Sequence, residues 1–306
     1  MSLISILLLC LFQSNTANAQ QAKVAMIGFY NLENLFDTID APDILDEEFL
    51  PNGKNKWNTE KYTKKLKNMS SVIAELGTEI SPDGVAILGI SEIENRGVVE
   101  DLLKQPALQN RGYKIVHYDS PDRRGVDVGL IYQPKYFTVT AAESLPVLIY
   151  NDNGDRIYTR DILHVTGLLD NEELHILVNH WPSRRGGEAS SAPLRNAAAD
   201  VCRKLFDSLA VVNPNVNFIV MGDLNDDPID ASIKNHLKAH GTKEKVKKAN
   251  LFDPMTELYK KGNGTLAHND TWGLFDQIIV SYGLLNDGDN GFQLYKPVIY
   301  NKKYYT

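Results

Sequence analysis

Short apolar runs, each about the length of a β-strand, recur along the chain. Residues 24–30 and 85–90 are continuous apolar runs, which is the pattern of buried central strands. Further runs with strand character cover residues 113–118, 127–132, 137–141, 162–168, 174–178, 217–221 and 275–280. The pattern therefore predicts a protein dominated by short strands.

Two segments repeat apolar residues at helical spacing instead. Residues 60–76 predict a helix whose apolar face carries Tyr62, Leu66, Met69, Ile73 and Leu76. Residues 193–209 predict a second helix, with Pro193 near its first turn. The apolar face of this second helix includes Cys202, which we expect to be a buried thiol without a chemical role. Residues 40–58 and 242–248 are polar and predict loops.

The number of strands argues against a doubly wound parallel sheet. Several neighbouring strands are separated by too few residues for the helical crossovers that parallel pairing requires. Hairpins and meanders fit these short connections. We therefore expect an α/β fold in which two sheets pack face to face and helices cover their outer faces.

Composition and charge narrow the classes of function. The 306 residues are 43% hydrophobic and 23% charged, which is typical of a globular protein with a sizeable core. The formal net charge is −7, from 32 basic and 39 acidic residues, so the surface as a whole does not attract nucleic acid or anionic membranes. Any phosphate must then be met by a local basic patch or a metal. The two cysteines, Cys10 and Cys202, exclude a disulfide framework and a cysteine-based zinc site.

The amino terminus has the pattern of a secretory signal. Residues 3–12 form an apolar run, followed by polar residues and by Ala17-Asn18-Ala19, a small-x-small cleavage pattern before Gln20. The run is too short to span a bilayer and no basic residue precedes it, and a buried first strand or helix is the alternative. We expect residues 1–19 to be a signal peptide and the protein to be exported, to the periplasm or the medium. We expect no stable membrane association and no protein partner.

The candidate chemistry lies where the predicted strands end. Six polar residues stand at such ends, namely Asn31, Glu92, His180, Asp223, Asn225 and Asp276. In a mostly antiparallel sandwich the starts and ends of neighbouring strands share an edge. These six side chains can therefore face one opening at that edge, which we call the mouth. Taken singly, each has a structural explanation, such as an Asx turn or a core histidine bonded to a carbonyl. Their joint placement favours a functional site.

The residue types in this cluster indicate a hard cation. Glu92, Asp223 and Asp276 cannot all be ionised close together without a cation or raised pKa values. Asn31 and Asn225 add neutral oxygens, and oxygen ligation with one nearby histidine suits Mg²⁺ or Mn²⁺ better than zinc. Such a site predicts phosphoester hydrolysis, in which the metal offsets the phosphate charge and an aspartate positions the attacking water.

Five segments that contain these residues resemble, in order, the motifs of the endonuclease/exonuclease/phosphatase superfamily. They are Phe-Tyr-Asn-Leu-Glu-Asn at 29–34, Leu-Gly-Ile-Ser-Glu-Ile-Glu at 88–94, Asn-His-Trp-Pro-Ser-Arg at 179–184, Met-Gly-Asp-Leu-Asn at 221–225 and Phe-Asp-Gln-Ile-Ile-Val at 275–280. The superfamily includes pancreatic-type deoxyribonucleases, abasic-site endonucleases, inositol-polyphosphate 5-phosphatases and bacterial sphingomyelinases. The resemblance implies a four-layer α/β/β/α sandwich of two mostly antiparallel sheets, formed by residues 20–306, and metal-dependent phosphoester hydrolysis.

The resemblance also implies roles for single residues. Glu92 looks like the main Mg²⁺ ligand, with Asn31 beside it. Asp223 looks like the residue that orients or deprotonates the attacking water, and Asn225 resembles a phosphate-contacting amide. His180 matches a histidine that serves as an acid or phosphate ligand in the deoxyribonuclease-like branch.

Residues 122–130 resemble the strand that closes the site in exported bacterial members, which makes Arg124 and Asp127 weaker candidates. Arg124 and Arg184 are candidate contacts to the substrate phosphate. Glu94 and Arg185 are further candidates near the site, although a solvated surface role explains them equally well.

Asp276 matches an aspartate that orients a second histidine, and here the chain departs from the family pattern. The family normally ends in Ser-Asp-His, whereas this sequence contains no Asp-His dipeptide. We therefore expect a domain that lacks its C-terminal strand.

Three functions remain open. The first is an exported nuclease dependent on Mg²⁺ or Mn²⁺, with nucleic acid as its substrate. The second is a phospholipid or sphingomyelin phosphodiesterase or a phosphatase of the same superfamily. The third, motivated by the absent histidine, is a non-catalytic member that binds metal.

Overall fold

A computed structural model describes residues 23–268, 271–285 and 291–302. The predicted signal peptide lies outside these ranges, as do residues 303–306. The strands are β1 (Met26–Leu35), β2 (Val85–Ile93), β3 (Lys114–His117), β4 (Asp127–Tyr132), β5 (Phe137–Leu145), β6 (Ile149–Tyr150), β7 (Arg156–Ile157), β8 (Ile162–Leu169), β9 (Glu172–His180), β10 (Phe218–Asp223), β11 (Ala239–His240), β12 (Leu251–Phe252), β13 (Leu266–His268), β14 (Thr271–Gly273) and β15 (Asp276–Ser281). The α-helices are α1 (Thr59–Glu75), α2 (Arg96–Leu103), α3 (Glu188–Val212) and α4 (Met255–Lys260).

The long strands form two mixed sheets. The first sheet has the order β1-β2-β4-β3, in which β1 and β2 run parallel and the other neighbours run antiparallel. The second sheet has the order β11-β12-β15-β10-β9-β8-β5, with parallel pairs β9–β10 and β11–β12. Its other pairs are antiparallel. The expectation of two mostly antiparallel sheets is confirmed.

Three apolar cores hold four layers together. Between the sheets, Ile87 and Leu130 of the first sheet pack in the same cluster as Val178 and Met221 of the second. On the outer face of the first sheet, α1 and α2 bury side chains such as Leu66, Ile73, Leu88, Ile90 and Val99. On the outer face of the second sheet, α3 buries Cys202 and Phe206 against Trp181 and Phe218. The α/β/β/α sandwich is thus confirmed, and Cys202 is a core thiol.

The helices differ in two places from the sequence prediction. The helix α3 begins at Glu188, so Pro193 stands inside it rather than near its first turn. Both Pro193 and Ala189 are exposed, so the carbonyl that proline leaves without an N–H partner faces water. The helix α2 was not predicted because it spans only 8 residues, which is too short for a clear period. Within the described ranges, no helix is both long enough and apolar enough to cross a bilayer.

Candidate active site

Three neighbouring strands of the second sheet present one row of polar side chains. His180 ends β9, Asp223 ends β10, and the two are register partners in the parallel pair. Asp276 opens β15 and is the register partner of Asp223 in the antiparallel pair. Because β15 runs in the opposite direction, its first residue lies at the edge where the other two strands end. The expectation that strand starts and ends share this edge is confirmed.

The first sheet brings Asn31 and Glu92 to the same mouth. Asn31 pairs with Ser91 in the β1–β2 ladder. The register of β2 shifts between Ser91 and Ile93, so Glu92 is the extra residue of a β-bulge and has a left-handed φ of 57°. Strict alternation would direct Glu92 toward α1, on the side of Ile90. The bulge turns Glu92 to the edge and returns Ile93 to the α1 side, where it packs with Ile90.

The side chain of Asn31 joins the two sheets at this mouth. Its Nδ2 donates to Oε1 of Glu92 and to Oδ2 of Asp223, each at 3.1 Å. Its Oδ1 accepts the backbone N–H of Glu33 at 2.8 Å, which fixes the orientation of the amide. Nε2 of His180 lies 3.8 Å from the same Glu92 oxygen and 3.9 Å from the same Asp223 oxygen. Four of the predicted site residues therefore surround one point.

A tight turn after β10 completes this side of the mouth. Oδ1 of Asp223 accepts the N–H of Asn225 at 3.0 Å, and Asn225 has a φ of 51°. Nδ2 of Asn225 donates to the carbonyl of Trp181 at 2.9 Å. Gly222, with a φ of 153°, has no room for a side chain, because a Cβ would lie 2.1 Å from the carbonyl oxygen of Asn179. Glycine thus lets β9 and β10 approach closely enough for the row of polar residues to form.

Burial and mutual repulsion perturb the carboxyl groups of this row. Burial and the negative charge of Glu92, opposed by the hydrogen bond from Asn225, raise the pKa of Asp223 to about 6. Burial, and next the charge of Asp223, raises the pKa of Asp276 well above its usual value. Within the described residues no histidine hydrogen-bonds to Asp276, whose N–H donates to Oγ1 of Thr265 at 3.1 Å. Its role in orienting a histidine stays a prediction.

His180 is held as a neutral imidazole. Burial lowers its pKa well below the usual value, and the guanidinium groups of Arg160 and Arg124 act in the same direction. Its side chain is 5% exposed. In the part of the chain that the structure describes, its buried Nδ1 has no hydrogen-bond partner. Nε2 faces the carboxylates of Glu92 and Asp223, so it can contact a ligand bound between them.

Arg160 fixes the backbone that carries His180. Its Nε donates to the carbonyl of His180 at 3.0 Å, and one terminal nitrogen donates to the carbonyl of Trp181 at 2.6 Å. The other terminal nitrogen donates to Oδ2 of Asp122 at 3.1 Å, and both side chains of this pair are buried. The sequence did not reveal Arg160, because a single arginine before a strand has no distinguishing spacing.

The donor set at the mouth fits a hard divalent cation. One oxygen each of Glu92 and Asp223 and a ring nitrogen of His180 lie within 4.8 Å of one another. Burial, and then the charge of Glu92, raises the pKa of Asp223, so negative charge is unfavourable at this point. A cation would relieve this repulsion, and oxygen-rich donors with one imidazole suit Mg²⁺ or Mn²⁺. Glu92, Asp223 and His180 are the residues that would hold it. Asn31 turns its Nδ2 and not its Oδ1 to this point, so its role as a metal ligand stays a prediction.

The two candidate phosphate-binding arginines differ in their contacts. Arg124 is exposed at the mouth, and Oδ1 of Asp122 accepts its N–H at 2.9 Å and its Nε at 3.3 Å. Arg184 braces the turn after β10, because its Nε donates to the carbonyl of Asn225 at 2.9 Å and a terminal nitrogen lies 2.7 Å from Asp230. The phosphate roles of both arginines stay predictions.

Asp127 and Glu94 lie buried near the mouth and hold neighbouring loops. Asp127 accepts the N–H and the hydroxyl of Ser120 at 2.9 and 2.6 Å, and its second oxygen lies 3.1 Å from Nε2 of His117. Glu94 accepts the N–H of Asp37 at 2.7 Å, and burial raises its pKa to about 7. Arg185, the remaining candidate, is exposed.

The helix α1 contributes a lysine that the sequence pattern did not reveal. The ammonium of Lys65 donates to the carbonyl of Glu33 at 2.6 Å. Burial lowers the pKa of Lys65, while the charges of Glu33 and Glu92 oppose that shift. A groove of about 1150 Å³ begins at Asp276 and Glu33 and runs along β1 and α1. Helical periodicity assigns Lys65 to the polar face, and only the packing of α1 on the sheet shows that it lies near Glu92.

Comparison with known proteins identifies the family and the fold. A sequence model described as the Endonuclease/Exonuclease/phosphatase family matches residues 26–306. No curated protein matches the chain significantly in sequence. An endonuclease/exonuclease/phosphatase family protein of Bacteroides thetaiotaomicron superposes with a TM-score of 0.56 at 17% identity, over 84% of this chain and 83% of that one.

Two further solved structures share the fold. The mannosyl-6-phosphatase of Bacteroides thetaiotaomicron gives a TM-score of 0.53 at 15% identity, over 85% of this chain and 86% of that one. A humanized D. rerio TDP2 gives a TM-score of 0.53 at 14% identity, over 83% of this chain and 81% of that one. At these identities the likeness concerns the fold and not the substrate.

Proposed function

This chain belongs to the endonuclease/exonuclease/phosphatase family, and on that basis we propose that it is an exported, divalent-metal-dependent phosphodiesterase that cleaves nucleic acid. One observation carries the proposal. Asn31 hydrogen-bonds to both Glu92 and Asp223 at the shared edge of the two sheets, and His180 points its Nε2 at the same two carboxylate oxygens. Four strands, β1, β2, β9 and β10, thus carry the side chains that phosphoester hydrolysis needs.

Each residue at the mouth has a separate role in this reaction. When bound, a divalent cation supplies positive charge that stabilises the phosphate in the transition state. Asp223, with a pKa of about 6, is ionised near neutral pH and orients the attacking water and accepts its proton. His180, neutral and fixed by its backbone, offers a hydrogen bond to a phosphate oxygen. Asn225 offers the amide hydrogen that Trp181 does not use.

Nucleic acid is the substrate that the remaining features favour. The motifs resemble those of the deoxyribonuclease-like branch, and the predicted signal peptide would deliver the protein to where extracellular nucleic acid is available. The half-exposed guanidinium of Arg124 supplies positive charge at the mouth of a protein whose net charge is −7, although it also contacts Asp122. A phosphatase or a lipid phosphodiesterase is the alternative within the family.

The proposal is tested by assaying the full chain with Mg²⁺ or Mn²⁺ on plasmid DNA, single-stranded DNA, RNA, a sugar phosphate and sphingomyelin vesicles. Metal-dependent cleavage of a nucleic acid that is lost in Glu92→Gln and in Asp223→Asn is the expected result. Glu60→Gln, an exposed residue in the first turn of α1, is the matched control and should keep full activity. Hydrolysis of the sugar phosphate or the lipid alone overturns the nuclease assignment, and full activity in Glu92→Gln overturns the mechanism. Detection of the protein in the cytoplasm alone overturns export.

A non-catalytic, metal-binding role is the second candidate. The observation that favours it is Asp276, which is buried against Asp223 without a histidine partner in the described part of the chain. This role predicts that Mg²⁺ or Mn²⁺ raises the melting temperature while no phosphoester is hydrolysed. Turnover by the chain eliminates it.

A further inference from the structure

An exposed tyrosine, Tyr158, lies two residues before Arg160 and has two arginines over its ring. The ring of Tyr158 is 43% exposed. The Cζ atom of Arg156 lies 4.8 Å from its centroid and that of Arg123 lies 5.8 Å away, both within cation–π range. Within the described residues, neither guanidinium forms an ion pair with a carboxylate, whereas Arg124, Arg160 and other arginines do.

This cluster is anchored to the backbone of the candidate active site. Arg123 directly follows Asp122, and Tyr158 lies two residues before Arg160. Asp122 and Arg160 form the buried ion pair whose guanidinium also binds the carbonyl of His180. Tyr158 is therefore tied to the segment that carries His180 through the buried, hydrogen-bonded side chains of Asp122 and Arg160.

The hairpin β6–β7 forms the outer side of the cluster. Arg156 is in β7, and its register partner Tyr150 in β6 is exposed. Oδ1 of Asn151 accepts the N–H groups of Asn153 and Asp155 at 3.0 and 2.8 Å, which closes the hairpin loop. The surface beside the mouth is thus both aromatic and cationic, in a protein whose net charge is −7.

The chemistry of these groups selects one kind of ligand. Aromatic rings and guanidinium planes stack on nucleobases, and unpaired guanidinium groups bind phosphate oxygens. A base that stacks on a side chain must itself be unstacked and unpaired, which excludes a base inside an intact duplex. We propose that Tyr158, Arg123 and Arg156 form a subsite for one unpaired nucleotide of a single strand, adjacent to the phosphodiester at the reaction centre. The inference rests on the proposed nuclease function and names its substrate as single-stranded.

The test measures binding and not turnover, so it stands apart from the test of catalysis. The probe is a short fluorescein-labelled single strand, compared with an abasic strand of equal length, in the Asp223→Asn background with Mg²⁺. Tyr158→Ala should weaken binding of the base-containing strand by about tenfold and leave the abasic strand unchanged. Tyr158→Phe keeps the ring and should bind normally. Tyr295→Ala removes another exposed tyrosine that carries a cation, Lys296 at 5.6 Å, and is the matched control.

The two arginines are tested by salt dependence. Arg123→Ala and Arg156→Ala should each reduce the slope of log affinity against log salt by about 0.7, for both strands. Unchanged binding of the base-containing strand by Tyr158→Ala overturns the subsite, even if the wild-type protein cleaves DNA. If the wild-type protein cleaves no phosphodiester, the proposed function fails, and the binding comparison still decides whether the subsite exists.

Discussion

Asp223 and Asp276 face each other across the antiparallel β10–β15 pair, and the carboxyl groups of both are partly buried near Glu92. Burial and like charge raise the pKa of each. Without a cation, the folded protein therefore either keeps a proton on these groups or holds uncompensated negative charge. The carboxyl groups that are proposed to act in the reaction therefore also lower the free energy of unfolding of the metal-free protein.

Replacing Asp276 by asparagine should stabilise the metal-free protein. The folded-state pKa of Asp276 lies above the unfolded value, so its contribution to stability is fully present below the unfolded pKa and is lost as the pH rises through the folded pKa. An asparagine side chain cannot ionise, so Asp276→Asn should raise the melting temperature in EDTA above neutral pH. Thermal melts check this, with Asp152→Asn at the exposed tip of the β6–β7 hairpin as the control. A lower melting temperature in Asp276→Asn would contradict the claim that Asp276 is repelled by the carboxylates beside it.

Divalent cations should stabilise the protein through Glu92. A ligand that binds only the folded state at a hundred times its dissociation constant adds about 2.7 kcal/mol of stability. We expect Mg²⁺ and Mn²⁺ to raise the melting temperature of the wild-type protein in a concentration-dependent way. Glu92→Gln should abolish the shift, whereas Glu60→Gln should retain it. A full shift of the melting temperature in Glu92→Gln would show that the cation binds at another site.

Breaking the Asp122–Arg160 pair should damage both stability and catalysis. Arg160→Met removes the buried cation that pairs with Asp122, leaves only the half-exposed Arg124 beside this carboxylate, and leaves two carbonyls without their donor. Roughly 3 kcal/mol of unfolding free energy should be lost. The Asp122→Asn, Arg160→Met double variant should lose less than the sum of the single changes. Urea denaturation measures the cycle. Simple additivity would show that the two side chains act independently.

Asp253 gives the protein a pH dependence remote from the active site. It is fully buried, and its oxygens accept the N–H of Met255 at 2.9 Å and the hydroxyl of Thr256 at 3.0 Å. Burial raises its pKa to about 7. Because this lies above the unfolded value, the stabilisation by Asp253 is present at low pH and lost as the pH rises through about 7.

Asp253→Asn should therefore lose less stability than the wild type between about pH 5 and about pH 8, by about 1.4 kcal/mol for each pH unit between about 5 and about 7. Urea denaturation at the two pH values checks this, with Asp152→Asn as the control. An equal change in the free energy of unfolding between the two pH values in wild type and Asp253→Asn would mean that burial does not raise the pKa of this carboxyl group.

The layered fold was predictable because its signals are local. Apolar runs mark β2, β4 and β9, and helical spacing marks α1 and α3, since each buries one continuous face. The choice of parallel pairing for β1–β2 and β9–β10 was not predictable, because strand partners far apart in sequence leave no local pattern. The helix α2 was not predictable either, because two turns give too few apolar positions to define a period.

The residues at the mouth were predictable as a set, because each was expected at the end or the start of a strand. His180 and Asp223 do end strands and Asp276 opens one, whereas β1 continues past Asn31 to Leu35. The contacts of these residues were not predictable. The hydrogen bonds of Asn31 to two carboxylates depend on how the two sheets stack, and the buried clamp of Arg160 depends on a loop that folds back on β9. Lys65 reaches the mouth because α1 packs on the first sheet in one particular position. The contacts of Asn31, Arg160 and Lys65 all depend on the tertiary structure, and the spacing of residues in the sequence does not reveal them.

The single extra residue at Glu92 lets the strand β2 meet two separate requirements. On one side, Ile90 and Ile93 keep their places against α1, and on the other a carboxylate reaches the mouth. A point substitution at position 92 therefore changes the chemistry while the packing of β2 on the helices survives. Members of such a lineage can lose, regain or alter activity by single mutations and still fold, so a stable domain of this kind is poor evidence of a working enzyme.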